Sequence, residues 1–252
     1  MDIFDLTGRR ALVTGSSLGI GRALARGLAE AGAHVVLNGR TQERLDETAE
    51  AMGRMGYPVS VSRFDVTDGA AVESAVEAIE AEGPLDILIN NAGMQHRAML
   101  EEFPEGKWDE LFATNVKSCF LVGQAVAKRM IPRGRGKIVN IASVQSELAR
   151  PSIAPYTATK GAVKNLTRGM ATDWARHGLQ VNAIAPGYFV TPLNKALVDD
   201  PDFTAWLEKR TPAGRWGNVD ELIGAAVFLC SDAASFVNGH TLAVDGGITA
   251  SL

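Results

Sequence analysis

The chain of 252 residues carries one glycine-rich stretch near its start, Thr14-Gly15-Ser16-Ser17-Leu18-Gly19-Ile20-Gly21. A short β-rich run, residues 11–14, leads into it, and an amphipathic segment, residues 20–31, follows. Glycine permits positive φ angles and a close backbone approach, so a strand can pass into a helix through a tight turn. The helix would then present free backbone N–H groups and its positive dipole end to a pyrophosphate. Glycine spacing alone is a weak signal, but this position after the first strand predicts a dinucleotide-binding turn.

The rest of the chain alternates short apolar runs with amphipathic stretches. Strands are predicted over residues 11–14, 34–38, 59–63, 86–90, 137–142, 180–185 and 241–244. Helices are predicted over residues 20–31, 41–55, 68–81, 108–130, 155–177 and 218–230. Continuous apolar strands, each followed by a helix, are typical of a parallel sheet covered on both faces. The predicted fold class is therefore α/β, with residues 1–252 forming a single-domain doubly wound parallel sheet (a Rossmann fold).

The segment 188–217 is the least regular part of the sequence, and we predict that it forms a loop over the substrate. The net charge of −4 argues against nucleic acid or an anionic membrane as a main partner, because both favour a basic face. No leader with a basic start and an apolar core is visible, and no apolar run approaches the ~18 residues of a membrane span. A cytoplasmic protein is expected.

Cysteine and histidine give no sign of a metal site. Cys119 and Cys230 lack metal-ligand spacing and lie in apolar stretches, so two reduced, buried thiols are expected. The histidines are scattered along the chain, at His34, His96, His177 and His240. No bound metal is predicted.

Several further motifs follow the glycine turn in a fixed order. Asn90-Asn91-Ala92-Gly93 follows the fourth predicted strand, and Ser143 precedes Tyr156-Thr157-Ala158-Thr159-Lys160. Pro186-Gly187 with Thr191 follows the sixth strand, and Asp245-Gly246-Gly247 lies near the carboxyl end. Together with the TGxxxGxG spacing, these motifs resemble those of the short-chain dehydrogenase/reductase family over nearly the whole chain. The resemblance implies an NAD(P)-dependent oxidoreductase acting on an alcohol or carbonyl carbon, usually a homotetramer.

The tyrosine and lysine of the YxxxK motif form a candidate acid–base pair. Tyr156 and Lys160 are four residues apart, so on a helix they share one face. A free tyrosine is a poor base at neutral pH, but a nearby lysine cation favours the phenolate. Such a pair is common by chance and could equally lie on a solvated helix surface. Ser143 favours the acid–base interpretation over a solvated surface pair. It follows the fifth strand, and ligands bind at the carboxyl ends of strands in such sheets.

The family resemblance assigns roles to these residues. Tyr156 would exchange a proton with the substrate oxygen, and Ser143 would hydrogen-bond that oxygen. Lys160 would bind the nicotinamide ribose and tune Tyr156, and Asn115 would orient a water for proton relay. The predicted cofactor contacts are Gly15, Ser17, Leu18, Gly19, Ile20, Gly21, Asn38, Arg40, Asp65, Val66, Asn91, Ala92, Gly93, Tyr156, Lys160, Pro186, Gly187 and Thr191.

The end of the second strand indicates which dinucleotide binds. Asn38 stands where NAD enzymes carry an acid for the ribose 2′-hydroxyl, so no carboxylate there would repel a 2′-phosphate. Arg40 can pair with that phosphate, since a guanidinium suits phosphate oxygens. NADP is favoured over NAD, although Arg40 could be an ordinary solvated charge. Leu18 departs from the family pattern, because many NADP-preferring relatives carry a basic residue there.

Two polar segments, residues 94–97 and 143–150, predict the substrate class. In a closed site, Arg97 would bind a carboxylate through paired hydrogen bonds, and the amide or acid side chains would bind hydroxyls. The predicted substrate contacts are Gln95, Arg97, Ser143, Gln145, Glu147 and Tyr156. They favour a small polyhydroxy acid, and residues 143–150, 185–189 and 209–217 resemble a sugar-acid-specific subgroup of the family. Arg97 and Arg150 could instead be surface or subunit-contact charges.

The sequence leaves two other functions open. The first is reduction of another sugar acid, a polyol or a 3-oxoacyl thioester on the same fold. The second is a non-catalytic, dinucleotide-sensing protein, because a fold alone does not give a function. The complete set Asn115, Ser143, Tyr156 and Lys160 argues against the second.

Overall fold

A computed structural model describes residues 2–252, and a seven-stranded parallel sheet forms its centre. The strand order is β3-β2-β1-β4-β5-β6-β7, and every neighbouring pair is parallel. The strands are β1 (Arg10–Val13), β2 (His34–Gly39), β3 (Val59–Arg63), β4 (Ile87–Asn90), β5 (Gly136–Ile141), β6 (Leu179–Pro186) and β7 (Thr241–Val244). The central strands are buried throughout, which explains why they are continuous apolar runs in the sequence.

Nine α-helices accompany the sheet within the described residues. They are α1 (Gly19–Glu30), α2 (Gln42–Arg54), α3 (Gly69–Glu82), α4 (Glu105–Phe112), α5 (Ser118–Met130), α6 (Ala154–Trp174), α7 (Lys195–Val198), α8 (Pro201–Arg210) and α9 (Ile223–Cys230). Apolar side chains of α1, α2 and α9 pack on one face of the sheet, including Leu24, Leu45 and Leu229. Side chains of α3, α5 and α6 pack on the other face, including Val76 and Val126. The predicted doubly wound fold is confirmed.

The strand order places a crevice at one edge of the sheet. The chain moves outward from β1 to β3 and then returns to place β4 on the other side of β1. Connections leave β1 and β4 in opposite directions, and such a switch point opens a crevice at the carboxyl ends of the strands. Because all strands are parallel, the segments after β1 to β6 meet at this edge.

The helical region predicted over residues 108–130 differs from the structure in two ways. It begins earlier, at Glu105 in α4, and a π-helical turn at Ala113–Lys117 separates α4 from α5. The π turn contains Asn115, which is buried. Single π turns of this kind often occur at functional sites.

The segment predicted as an irregular loop, residues 188–217, contains α7 and α8. The α8 helix begins where the Asp200 carboxylate accepts hydrogen bonds from the N–H groups of Asp202 (3.0 Å) and Phe203 (3.1 Å). Pro201 occupies the first turn, where its fixed φ and missing N–H suit a helix start. The expectation of irregular structure was therefore wrong for residues 201–210, although the segment does lie beside the crevice.

Both cysteines are free and buried, as the sequence predicts. Burial raises the pKa of the Cys230 thiol to about 12, although the charges of Lys137 and Arg9 act in the opposite direction. Within residues 2–252, no three His, Cys, Asp or Glu side chains gather as a metal cluster would require. None of the helices in the same residues has the length and apolar character needed to cross a bilayer.

Candidate active site

A cavity of about 700 Å³ occupies the crevice at the carboxyl edge of the sheet. Its volume lies in the range of small-molecule and cofactor sites. All eighteen residues predicted to contact the cofactor line this cavity. So do Gln95, Arg97, Ser143 and Gln145 of the predicted substrate set. The fold therefore brings together, around one cavity, residues that are far apart in the sequence.

The glycine turn is a tightly packed connection between β1 and α1. Gly15 and Gly19 adopt positive φ angles of 62° and 57°, which side-chain-bearing residues rarely adopt. The Asn91 side chain donates hydrogen bonds to the carbonyl oxygens of Thr14 (2.9 Å) and Gly15 (3.0 Å). The Thr14 hydroxyl oxygen accepts hydrogen bonds from the N–H groups of Asn91 and Ala92, both at 3.0 Å. The segment after β4 thus fixes the shape of the turn.

The amino end of α1 fits an anionic group. Its N-cap residue is Leu18, whose side chain makes no capping hydrogen bond, and the first turn contains no acidic residue. The first N–H groups of a helix have no partner within the helix. Because Gly19, Ile20 and Gly21 line the cavity, these donors could hold the pyrophosphate of a dinucleotide.

Asn38 lines the cavity, but its side chain binds the protein backbone. Its Oδ1 accepts a hydrogen bond from the Gly15 N–H (3.4 Å), and its Nδ2 donates to the carbonyl oxygens of Ser62 (3.2 Å) and Phe64 (3.1 Å). Only 1% of the residue is exposed. The side chain therefore holds the glycine turn and the end of β3 in place, and its predicted contact with the cofactor stays a prediction.

The cavity end near β2 is basic. Arg40, in the connection before α2, lines it as the sequence predicts, and Arg44 in the first turn of α2, which sequence reasoning missed, lines it too. The available signal was a second arginine in the helix start that directly follows Arg40. Asp65 accepts hydrogen bonds from the Thr67 N–H (2.9 Å) and hydroxyl (2.7 Å). Burial raises the pKa of Asp65, but these hydrogen bonds and the charge of Arg40 outweigh burial and hold it below its ordinary value.

Ser143, Tyr156 and Lys160 lie together on the cavity wall. Tyr156 and Lys160 share one face of α6, and the Lys160 ammonium lies 5.7 Å from the centre of the Tyr156 ring. Lys160 is only 6% exposed, and its Nζ donates a hydrogen bond to the Ile141 carbonyl oxygen (2.7 Å) at the end of β5. The Ser143 hydroxyl oxygen accepts a hydrogen bond from the Gln145 N–H (3.1 Å). A proton-carrying hydroxyl, a cation and a second hydroxyl thus face one space.

Asn115 lies behind this wall rather than on it. Its Oδ1 accepts a hydrogen bond from the Met94 N–H (2.8 Å), and its Nδ2 donates to the Met94 carbonyl oxygen (3.0 Å) and the Thr159 hydroxyl (3.1 Å). These contacts tie the segment after β4 to α6, next to Lys160. The π turn directs the side chain inward. The predicted water-orienting role stays a prediction, and the contacts observed in the structure are positioning contacts.

Glu147 is the one predicted substrate residue that lies outside the cavity lining. It is exposed, and its carboxylate pairs with Lys164 on α6. A 3₁₀ turn at Val144–Ser146 turns Gln145 inward and carries Glu147 away. The cavity lining therefore gives no support to the predicted substrate contact of Glu147, which stays a prediction.

Sequence reasoning also missed Tyr188 and left Arg150 open. Both line the cavity, and the Tyr188 hydroxyl accepts a hydrogen bond from the Gln145 side chain (3.3 Å). Tyr188 directly follows the Pro186-Gly187 motif after β6, which was the available signal. Burial raises the pKa of Tyr188, although the nearby charge of Arg150 acts against it.

A parallel sheet with a glycine turn at its switch point, and a Ser-Tyr-Lys set on the same wall, defines a dinucleotide-dependent oxidoreductase. The profile of the family described as Enoyl-(Acyl carrier protein) reductase matches residues 15–249. The chain belongs to the short-chain dehydrogenase/reductase family.

Several relatives are similar to this chain over nearly their whole length. The chain is 67% identical to "Gluconate 5-dehydrogenase" of Gluconobacter oxydans (strain 621H) over 252 residues, 100% of this chain and 98% of the relative. It is 53% identical to "5-keto-D-gluconate 5-reductase" of Escherichia coli (strain K12), with 98% of each chain covered. A crystal structure of a gluconate 5-dehydrogenase from Burkholderia cenocepacia J2315 in complex with NADP and tartrate is 58% identical. Its TM-score is 0.98, over 100% of this chain and 99% of that one.

Proposed function

We propose that this protein catalyses the reversible, NADP-dependent oxidation of D-gluconate to 5-dehydro-D-gluconate. The observation that carries the proposal is the cavity in which Ser143, Tyr156 and Lys160 face the same space as the half-buried Arg97. One part of this wall suits proton transfer at a hydroxyl, and the other suits a carboxylate. The relatives named as gluconate 5-dehydrogenase and 5-keto-D-gluconate 5-reductase support the same substrate pair.

Tyr156 is the proposed acid–base. In the oxidation, the C5 hydroxyl proton passes to the Tyr156 oxygen as the C5–H bond breaks and the carbonyl forms. Ser143 donates a hydrogen bond to the reacting oxygen and fixes its position, while the Lys160 cation favours the phenolate that accepts the proton. The bound nicotinamide supplies the hydride chemistry. In reduction, Tyr156 returns the proton to the same oxygen.

Arg97 is the proposed ligand of the substrate carboxylate. It follows β4, beside Gln95, and both side chains line the cavity. The Gln95 Oε1 and Arg97 Nε atoms are buried without a hydrogen-bond partner in residues 2–252. Buried polar atoms usually have partners, so these atoms are suited to a polar ligand. Gln145, whose Oε1 is also unpartnered, is proposed to bind a substrate hydroxyl.

The proposed cofactor is NADP, with NAD as the weaker alternative. Arg40→Ala should weaken NADPH binding roughly ten- to a hundredfold and leave NADH binding unchanged, because a charge-assisted phosphate contact contributes about 1.5–3 kcal/mol. Dissociation constants from fluorescence titration measure this difference. Arg54→Ala, at the exposed far end of α2, is the matched control. Equal weakening of both cofactors would mean that Arg40 does not bind the 2′-phosphate.

A substrate panel tests the proposed reaction. The panel contains 5-dehydro-D-gluconate, the neutral ketose L-sorbose and an acetoacetyl thioester, each with NADPH and with NADH. We expect the highest kcat/KM for 5-dehydro-D-gluconate with NADPH. A higher value for the thioester would assign the chain to acyl reduction, and NADPH binding without turnover of any carbonyl would favour a dinucleotide sensor.

We further infer that the enzyme is a cytoplasmic homotetramer. One large apolar side chain is exposed on each of α4 and α5, Trp108 (40%) and Phe120 (43%). Burial of these two side chains against a second copy of the chain would favour an assembly through these helices. Two free, buried thiols suit a reducing compartment.

A further inference from the structure

Two arginines of the cavity wall have no anionic partner. The Nε atoms of Arg97 and Arg150 are buried without a hydrogen-bond partner among residues 2–252. Neither arginine takes part in any ion pair of the described residues. The acids of the described cavity wall are Asp65, which binds Thr67, and Glu110, which pairs with Lys107 at 2.7 Å. In the corner of the cavity that Arg97 and Arg150 line, no acidic side chain of the described residues neutralises the positive charge.

The two guanidinium groups also act on each other. Burial lowers the pKa of Arg97, and the charge of Arg150 lowers it further. Two partly desolvated cations without a counterion are unfavourable unless an anion binds between them. The corner is thus better suited to a carboxylate than to a neutral hydroxymethyl group.

A residue of α8, Phe203, holds Arg150 in place. Its guanidinium carbon lies 5.4 Å from the centre of the Phe203 ring on α8, an arrangement that favours a planar cation. Phe203 packs against the rings of Tyr188 (5.7 Å), Trp206 (5.2 Å) and Trp216 (6.1 Å). An aromatic cluster therefore fixes the surface on which Arg150 rests.

We propose that Arg150, seated on Phe203, is a second carboxylate-binding cation beside Arg97 and sets the preference for sugar acids over neutral polyols. Arg150 would contact the substrate, and Phe203 would be a positioning residue that acts through it. This inference rests on the proposed function. It adds that acid selectivity depends on α8, which sequence reasoning took for a loop.

Arg150→Met tests the first part. We expect the KM for D-gluconate and the inhibition constant of tartrate to rise about ten- to a hundredfold, with kcat changed less than threefold. The inhibition constant of sorbitol, which is gluconate with a hydroxymethyl group in place of the carboxylate, should stay within threefold. Arg176→Met removes the same charge from an exposed position beyond α6 and should change none of these constants. Equal weakening of gluconate and sorbitol, or an unchanged KM for gluconate, would overturn the assignment.

Phe203→Leu tests whether the Phe203 ring positions Arg150. This variant should raise the KM for gluconate about three- to tenfold and leave kcat and the sorbitol constant unchanged, whereas Phe203→Tyr should restore the wild-type KM. A fall in kcat that the aromatic variant does not rescue would mean that Phe203 only stabilises α8. Calorimetric binding of tartrate to the wild type and Arg150→Met, both with NADP, does not depend on turnover. It distinguishes failure of this inference from failure of the proposed reaction.

Discussion

Tyr156→Phe should lower kcat about a hundred- to ten-thousandfold while NADPH binds as tightly as in the wild type. The variant keeps the ring but removes the hydroxyl that exchanges a proton with the substrate, and general acid–base catalysis contributes an effect of this size. The contact of Lys160 with the Ile141 carbonyl oxygen does not involve Tyr156, so the cofactor wall should keep its shape. Steady-state kinetics and a fluorescence titration of NADPH measure the two effects separately.

Tyr57→Phe is the matched control for this prediction. The Tyr57 hydroxyl hydrogen-bonds the Glu30 carboxylate (3.2 Å), and Tyr57 precedes β3, away from the cavity lining. It should turn over like the wild type. If Tyr156→Phe retained more than a tenth of the wild-type kcat, another group would carry the proton and the proposed mechanism would be wrong.

The sheet and the cofactor wall could be predicted from the sequence for a physical reason. Strands buried on both faces are continuous apolar runs, and all strand ends of a parallel sheet meet at one edge. Once the strands that precede Gly15, Asn91 and Ser143 are assigned, these residues must lie together. The topology thus supplies the long-range contacts that local sequence patterns lack.

The direction of single side chains could not be predicted in the same way. Gln145 and Glu147 are two residues apart on a polar segment, yet the 3₁₀ turn sends one into the cavity and the other to Lys164. Asn38 stands at the position of a ribose ligand, but its amide binds the backbone of β3 and the glycine turn. Such choices depend on partners that are remote in the sequence.

The start of α8 could have been predicted from the sequence. Asp200-Pro201 is a helix start, with a capping carboxylate followed by proline at the first helical position. The helix is short and half-exposed, so its apolar periodicity is weak, and the surrounding polar residues favour a loop. The contact between the Phe203 ring and Arg150 could not be predicted, because only tertiary packing brings these two residues together.

Gly21→Ala should lower the affinity for NADPH about a hundredfold or more. A Cβ atom at this position would lie within 3.0 Å of both the Gly15 carbonyl oxygen and the Asn91 side-chain nitrogen. Neither can yield alone, because Asn91 donates hydrogen bonds to Thr14 and Gly15 and so fixes the turn. The turn must move away from α1, and each lost charge-assisted contact with the pyrophosphate costs about 1.5–3 kcal/mol. Calorimetric titration of NADPH measures the loss.

Gly53→Ala separates this effect from the general effect of adding a methyl group to a helix. Gly53 lies within α2, and a Cβ there would have no atom within 4 Å. This control should bind NADPH normally and stabilise the protein by about 0.5–1 kcal/mol, because alanine restricts the unfolded chain more than glycine does. Normal NADPH affinity in Gly21→Ala would mean that the turn relaxes without losing its anion-binding N–H groups. The close packing of Gly15, Gly21 and Asn91 would then serve stability alone.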